Sequence, residues 1–228
     1  MAGQTQSASD SADVYDRIMD AIVTQRLAPG QKVSENILTN MFGISRTAAR
    51  NAMEQMTAQQ FMISNSPRIT RISPLTLVDV KENFTIRKMM EPSILSMIAP
   101  QMDEEEFEKR HNAIFEDMTM TTESDILRVL KANRDFNRYI AQQTRYQSLI
   151  NWIGQLEDTT MRIYWIYAKL TKSLPFSMDQ QKTLVDLVRN NQTEDIRRHV
   201  IMMITTCEDR VLNTIFMHGR LNAHNLTV

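Results

Sequence analysis

The chain has 228 residues, 42% of them apolar, and a formal net charge of −1. That length suits one or two domains with a packed core, and that charge excludes a global field for nucleic acid, so any such binding must come from a local patch. The single cysteine, Cys207, excludes an internal disulfide and a cysteine-built zinc site. No apolar run is long enough to cross a bilayer, and the N-terminus lacks the apolar stretch of a signal peptide, so the expected location is the cytoplasm with no membrane partner. Only 5 glycines and 6 prolines interrupt the chain, which favours long helices with short connections. The 17 methionines suit irregular core gaps or an apolar ligand cavity.

Residues 1–11 are rich in Ser, Gln and Ala and read as a disordered tail. Over residues 12–26, Val14, Ile18, Ile22 and Val23 recur at helical spacing. Leu27-Ala28-Pro29-Gly30 ends that helix in a turn. Val33 is a short extended residue, and Ser34 caps a helix with Ile37, Leu38 and Met41 on its apolar face. Gly43 permits the left-handed conformation of a tight helix–helix turn. Ser45 caps a second helix, reaching about residue 60, with Ala49, Met53 and Met56 facing inward.

Arg46, Thr47 and Arg50 crowd the start of that second helix. Cations at a helix N-terminus oppose the macrodipole, so this helix is not arranged for its own stability. An external polyanion facing those arginines explains them, as in a helix-turn-helix. An ordinary helical hairpin with surface arginines is equally compatible with the spacing alone. The flanking residues favour the first reading. Residues 61–63 form a strand, Ser64-Asn65-Ser66-Pro67 a turn, and residues 69–72 a returning strand carrying Arg71, with Arg68 just before it. A basic hairpin after a basic helix is a wing that can reach phosphates or a minor groove.

Val14-Tyr15, Leu27-Ala28-Pro29-Gly30 and Ser34-Glu35 resemble the opening of the GntR-type winged helix-turn-helix regulators. Gly43-Ile44-Ser45-Arg46-Thr47-Ala48-Ala49-Arg50-Asn51-Ala52-Met53 resembles that family's recognition segment, with Ala48 for the usual proline and Asn51 for the usual glutamate. Ile69 stands where the wing usually has glycine. The resemblance implies that Asn36, Ser45, Arg46, Thr47 and Arg50 face operator DNA, joined by the wing residues Arg68 and Arg71. Arginine pairs with guanine in the major groove, while phosphate contacts set register.

After Ser73-Pro74-Leu75, the chain reads as helix over about 77–99, 103–120, 125–141, 146–170, 177–190 and 193–217. Thr76 caps the first of these, and Pro92 interrupts it. The fold class is therefore mostly α. A winged helix-turn-helix domain over 12–73 precedes an antiparallel all-α bundle over 74–228.

The second half is similar, more loosely, to the FadR-like subgroup with its FCD-type effector domain. Arg87 and Glu91 match its Arg-x-x-x-Glu. Many members hold a divalent metal through one aspartate and three histidines. Here the matching positions are Asn133, Asn137, Gln181 and, near the last, Met203. Uncharged amides are poor zinc ligands, so no metal and no cofactor is expected. Asp135 belongs on another helix face, and His199 lies one turn before Met203 as a weaker route to a metal. His111, His218 and His224 have no ligand spacing. The amides suit a small organic acid or amphipathic effector bound directly, with Arg87 available to a carboxylate. They are also compatible with plain mutual satisfaction, Arg87 then binding Glu91 or another acid. Trp152 and, further along the same helix, Tyr164, Trp165 and Tyr167 are candidates for a cavity wall or for core and dimer packing.

The expected function is a ligand-responsive repressor of a metabolic operon. It is expected to be a homodimer on a roughly palindromic operator. No nucleophile–base pair, phosphate loop or metal constellation points to an enzyme. The alternative is a constitutive dimeric DNA-binding protein with a degenerate pocket.

Overall fold

The structure, a computed structural model, describes the backbone of residues 2–66, 69–115, 120–218 and 224–228. Among these, side chains are described from Asp13 onward, Asn65 excepted. The chain divides into two compact units, Met1–Leu75 with Ala223–Thr227, and Thr76–Asn222.

In the first unit, α1 (Ala2–Val23) leads through a turn to β1 (Lys32–Val33), then α2 (Glu35–Phe42), α3 (Arg46–Ala58), β2 (Met62–Ser66) and β3 (Ile69–Ile72). α1 begins at Ala2, so it takes in all but the first of the residues expected to form a disordered tail over 1–11. The three strands run antiparallel in the order β1-β3-β2, with Lys32 opposite Arg71 and Met62 opposite Ile72. The expected turn at Ser64–Pro67 is partly strand, because β2 continues to Ser66 through an irregularity between Ser64 and Ser66. The Ser64 and Thr70 hydroxyls, 3.1 Å apart, tie that extension to β3.

Local chemistry fixes the helix ends. The Ser34 and Ser45 hydroxyls accept from the backbone N–H of Ile37 and Ala48, at the starts of α2 and α3. Gly43 closes α2 at φ 66°, ψ 31°, and its N–H donates to the Thr39 carbonyl. The buried face of α2 is Leu38 and Phe42, with Met41 only half-buried. The buried face of α3 is Ala49, Ala52 and Met56, with Met53 half-buried. These pack with Ile18, Met19 and Ile22 of α1, all nearly inaccessible.

Leu226, fully buried, joins this first unit. Its N–H donates to the Leu75 carbonyl at 2.7 Å, and its own carbonyl accepts from Gln25 Nε2 at 3.3 Å. The sequence boundaries leave residues 223–227 in the helical half. The contacts return them to the winged one.

The second unit contains, among the described residues, α4 (Leu77–Ile98), α5 (Glu104–Ala113), α6 (Glu123–Gln143), α7 (Gln147–Thr171), α8 (Met178–Arg189) and α9 (Thr193–Met217). A single 3₁₀ turn, Ala99–Gln101, follows α4. Thr76 and Asp79 form a reciprocal capping box at the start of α4, and Thr122 and Asp125 do the same for α6. Pro92 lies within α4 without ending it. α5 is shorter than its apolar spacing predicts, since the Ile114 and Phe115 N–H groups bond three residues back rather than four. α4 packs along α9 and α6 along α7, which leaves a cavity among α4, α6, α7, α8 and α9.

Candidate nucleic-acid face and effector cavity

In the winged unit, Ser45, Arg46, Thr47 and Arg50 are all exposed at the start of α3, and Asn36 is exposed on α2. Arg46 makes no ion pair with any described residue. Arg50 does: its Nε lies 2.8 Å from Glu35 Oε1 across the helix-turn-helix. The hydrogen bond to Arg50 holds the Glu35 carboxyl below its usual range. Part of the unfavourable charge at the α3 N-terminus is thus answered inside the protein. Exposed Arg71 sits on β3 and donates from Nη1 to the Gly30 carbonyl at 2.9 Å. That bond ties the wing to the turn after α1. Arg68 lies outside the described residues. Asn36, Arg46, Thr47 and Arg50 thus occupy one helix-turn-helix, with Arg71 on the adjoining sheet.

The helical unit holds a cavity of about 80 Å³, walled chiefly by apolar side chains. Arg87, Asn133, Asn137, Gln181 and Met203 all line it, brought from α4, α6, α8 and α9. Asp135 points elsewhere, exposed and paired with Arg134 at 2.9 Å. His199 does not line the cavity, and its Nε2 lies 2.7 Å from the Gln180 carbonyl. Two amides, a third amide and a thioether make a poor donor set for a divalent transition metal. Among the described residues, no group of three His, Cys, Asp or Glu side chains is placed to hold an ion. The residues present do not fit the metal that the FadR-like resemblance brings to mind.

Arg87 is nearly inaccessible, and its fork is engaged. Nε lies 2.6 Å from Glu91 Oε1, Nη2 3.4 Å from Glu91 Oε2, and Nη1 2.7 Å from the Tyr164 hydroxyl. Burial alone pulls its pKa down, but Glu91, Tyr164 and Glu157 outweigh that and hold it charged. Removing one partner from such a buried pair costs roughly 3–5 kcal/mol. An incoming carboxylate would therefore have to displace Glu91 to use this guanidinium.

Behind the cavity wall stand two residues that spacing did not mark. Glu157 of α7 is fully buried. Its Oε2 accepts from Asn137 Nδ2 at 3.0 Å, while Oε1 has no partner. Burial pushes its carboxyl up to about 7 against the pull of Arg87, and Glu91 adds to the rise. His111 of α5 is buried against Phe107, Phe115 and Phe136, with Nε2 3.0 Å from Gln181 Oε1. Its four-residue spacing from Phe107 and Phe115 places it on an apolar face, a signal that could have identified it. Tyr164 lines the cavity, Trp165 is core, and Trp152 is 61% exposed. Burial raises the Cys207 thiol pKa, so this cavity residue stays a neutral wall group.

Residues 82–206 match the FCD domain, and residues 10–72 match the bacterial regulatory proteins of the gntR family. The HTH-type transcriptional regulator YdhC of Bacillus subtilis is 24% identical over 150 residues, which are 63% of this chain and 65% of that protein. An HTH-type transcriptional regulator in an unstable DNA locus of Streptomyces ambofaciens is 28% identical over 104 residues, 44% of this chain and 42% of that protein. The match therefore spans less than two thirds of either relative. The fold is similar to E. coli McbR/YncC at TM-score 0.70 and 15% identity, covering 93% of this chain and 98% of that one. It is also similar to a GntR regulator structure from Rhodococcus sp. RHA1 at TM-score 0.68 and 16% identity, covering 90% and 98%. With a winged helix-turn-helix at one end and an FCD bundle at the other, the chain belongs to the gntR family of bacterial regulatory proteins.

Proposed function

We propose that this protein is a transcription regulator whose winged unit binds a roughly palindromic operator as a homodimer. In this reading the helical unit answers to a small organic effector bound without metal. The observation that carries the DNA half is the exposed Arg46, which makes no ion pair with a described residue, beside Thr47 at a Ser45-capped helix N-terminus. Side chains there can enter a major groove while the free N–H groups meet phosphate. Exposed apolar residues on the bundle, Val78 and Met89 of α4 among them, support pairing of two copies. No described helix is long and apolar enough to cross a membrane.

The effector half rests on the cavity, since a bundle serving only dimerisation needs no polar-tipped space at its centre. The ligand must bind the DNA-competent and incompetent forms with different affinity, and release of a repressor is the sense we assign. The test is an electrophoretic shift on a palindromic sequence upstream of the gene. Arg46→Ala should weaken binding roughly ten- to hundredfold, the loss of one good arginine contact, with the melting temperature unchanged. Unaltered affinity would overturn the DNA reading.

A further inference from the structure

The two amides that line the cavity are held from behind in opposite senses. Asn137 gives Nδ2–H to Glu157 Oε2 at 3.0 Å and is left presenting Oδ1. Asn137 makes no other side-chain bond with a described residue. Gln181 Oε1 lies 3.0 Å from His111 Nε2; with the imidazole proton on that nitrogen, Oε1 accepts and the Gln181 Nε2–H₂ is the group left over. One acceptor and one donor therefore remain in the same cavity, both aimed by buried partners. The amide of Asn133, also lining the cavity, has no partner among the described residues.

The charges near the cavity point away from an anion. Arg87 is engaged by Glu91 and Tyr164, and Arg138 pairs with Asp158 at 2.7 Å, although Arg138 Nε has no hydrogen-bond partner. Glu157 feels Arg87 and Arg138 but forms no ion pair with a described residue, and its Oε1 is unsatisfied. A carboxylate ligand would add negative charge beside Glu91 and Glu157 in a low-dielectric space. Apart from Glu91 and Tyr164, the remaining wall, including Ile94, Leu95, Phe136, Phe176 and Ile204, is apolar. At roughly 10–15 Å³ per water-sized atom, about 80 Å³ holds around half a dozen heavy atoms.

We infer that the cavity takes a small neutral carboxamide, a short apolar body ending in adjacent C=O and N–H groups, in preference to an organic acid. The inference rests on the effector reading above and narrows its ligand class. The ligand N–H meets Asn137 Oδ1, its C=O meets Gln181 Nε2–H, and its alkyl part lies against the aliphatic wall. Glu157 and His111 act as positioning residues, since they touch the amides and not the ligand.

The experiment is isothermal calorimetry of the full chain with three probes of matched shape: isobutyramide, isobutyrate and isobutylamine. Isobutyramide should bind in the millimolar range, about tenfold tighter than either charged analogue. In Glu157→Gln the isobutyrate disadvantage should shrink several-fold while isobutyramide changes little. If that variant fails to fold, the native chain carries the same test across pH 7, where Glu157 loses its charge on acidification. Arg87 and Glu91 of α4 and Arg138 of α6 are the other charged groups that act on it. Isobutyrate binding should then improve below that pH and isobutyramide binding should not. Isobutyrate or isobutylamine binding as tightly as the amide overturns the inference, and so does no heat from any probe. Operator binding by the same preparation separates the two claims. A chain that binds operator and answers to isobutyrate keeps the sensor reading and loses the carboxamide. A chain that takes isobutyramide but never binds operator does the reverse.

Discussion

Glu157 carries a stored electrostatic cost. Its carboxyl sits at about 7 in the fold, against an ordinary value of 4.5, because burial penalises the charged form more than Arg87 and the Asn137 bond favour it. A raised carboxyl pKa means that the folded state holds its proton more tightly than the unfolded chain. Its contribution to stability is therefore full below pH 4.5 and is lost as pH rises to about 7. The full swing is of the order of 3 kcal/mol. In Glu157→Gln, stability measured by urea unfolding should fall less between pH 5 and pH 8 than in the native chain. Parallel curves for the two would show that Glu157 titrates normally. The sequence did not mark Glu157, because the acid pair Glu157-Asp158 on an apolar helix looks like a surface feature until the opposite helices are in place. Arg87, Asn133, Asn137, Gln181 and Met203 were legible as a set only through the family resemblance. Their common cavity is a matter of which helices pack together. Arg50 shows the converse limit. Its position on the recognition helix was readable, but its bond to Glu35 depends on how sharply α2 and α3 fold together.

Among the elements, α3 owes its start to one hydroxyl. Ser45 Oγ accepts from the Ala48 N–H at 3.1 Å, and no acidic residue in the first turn supports it. Ser45→Ala should lower the stability of the winged unit by about 1 kcal/mol, and chemical denaturation reads that directly. A change well under half that size would mean that water replaces the cap. Caps, Gly43 and the long helices were visible in the sequence because they depend on near neighbours. The end of α5 was not. Phe107, His111 and Phe115 keep a helical spacing past the point where the backbone tightens into three-residue bonds. The apolar repeat continues while the hydrogen-bond pattern changes, and spacing records only the former. The extension of β2 to Ser66 was missed for a similar reason: turn-type residues were read locally, while the pairing with β3 is made across the hairpin.

At the scale of the whole molecule, two domains and their order were readable, but the return of residues 223–227 to the first unit was not. Leu226 stands alone among polar neighbours, without a period to announce its burial. Leu226→Ala should destabilise the winged unit by about 2–5 kcal/mol, the usual range for emptying a buried leucine site. Hydrogen exchange at α1 and β3 would register the loss, and unchanged protection there would show that the segment is a passive passenger.

That returning segment also orders events during synthesis. The ribosome delivers residues 1–75 first, yet the side chain that plugs their core arrives only after the helical unit has been translated. N-terminal domains ordinarily complete their folding while the rest is still being made. This one must wait, so a nascent or prematurely terminated product would carry a winged unit whose core lacks its last side chain.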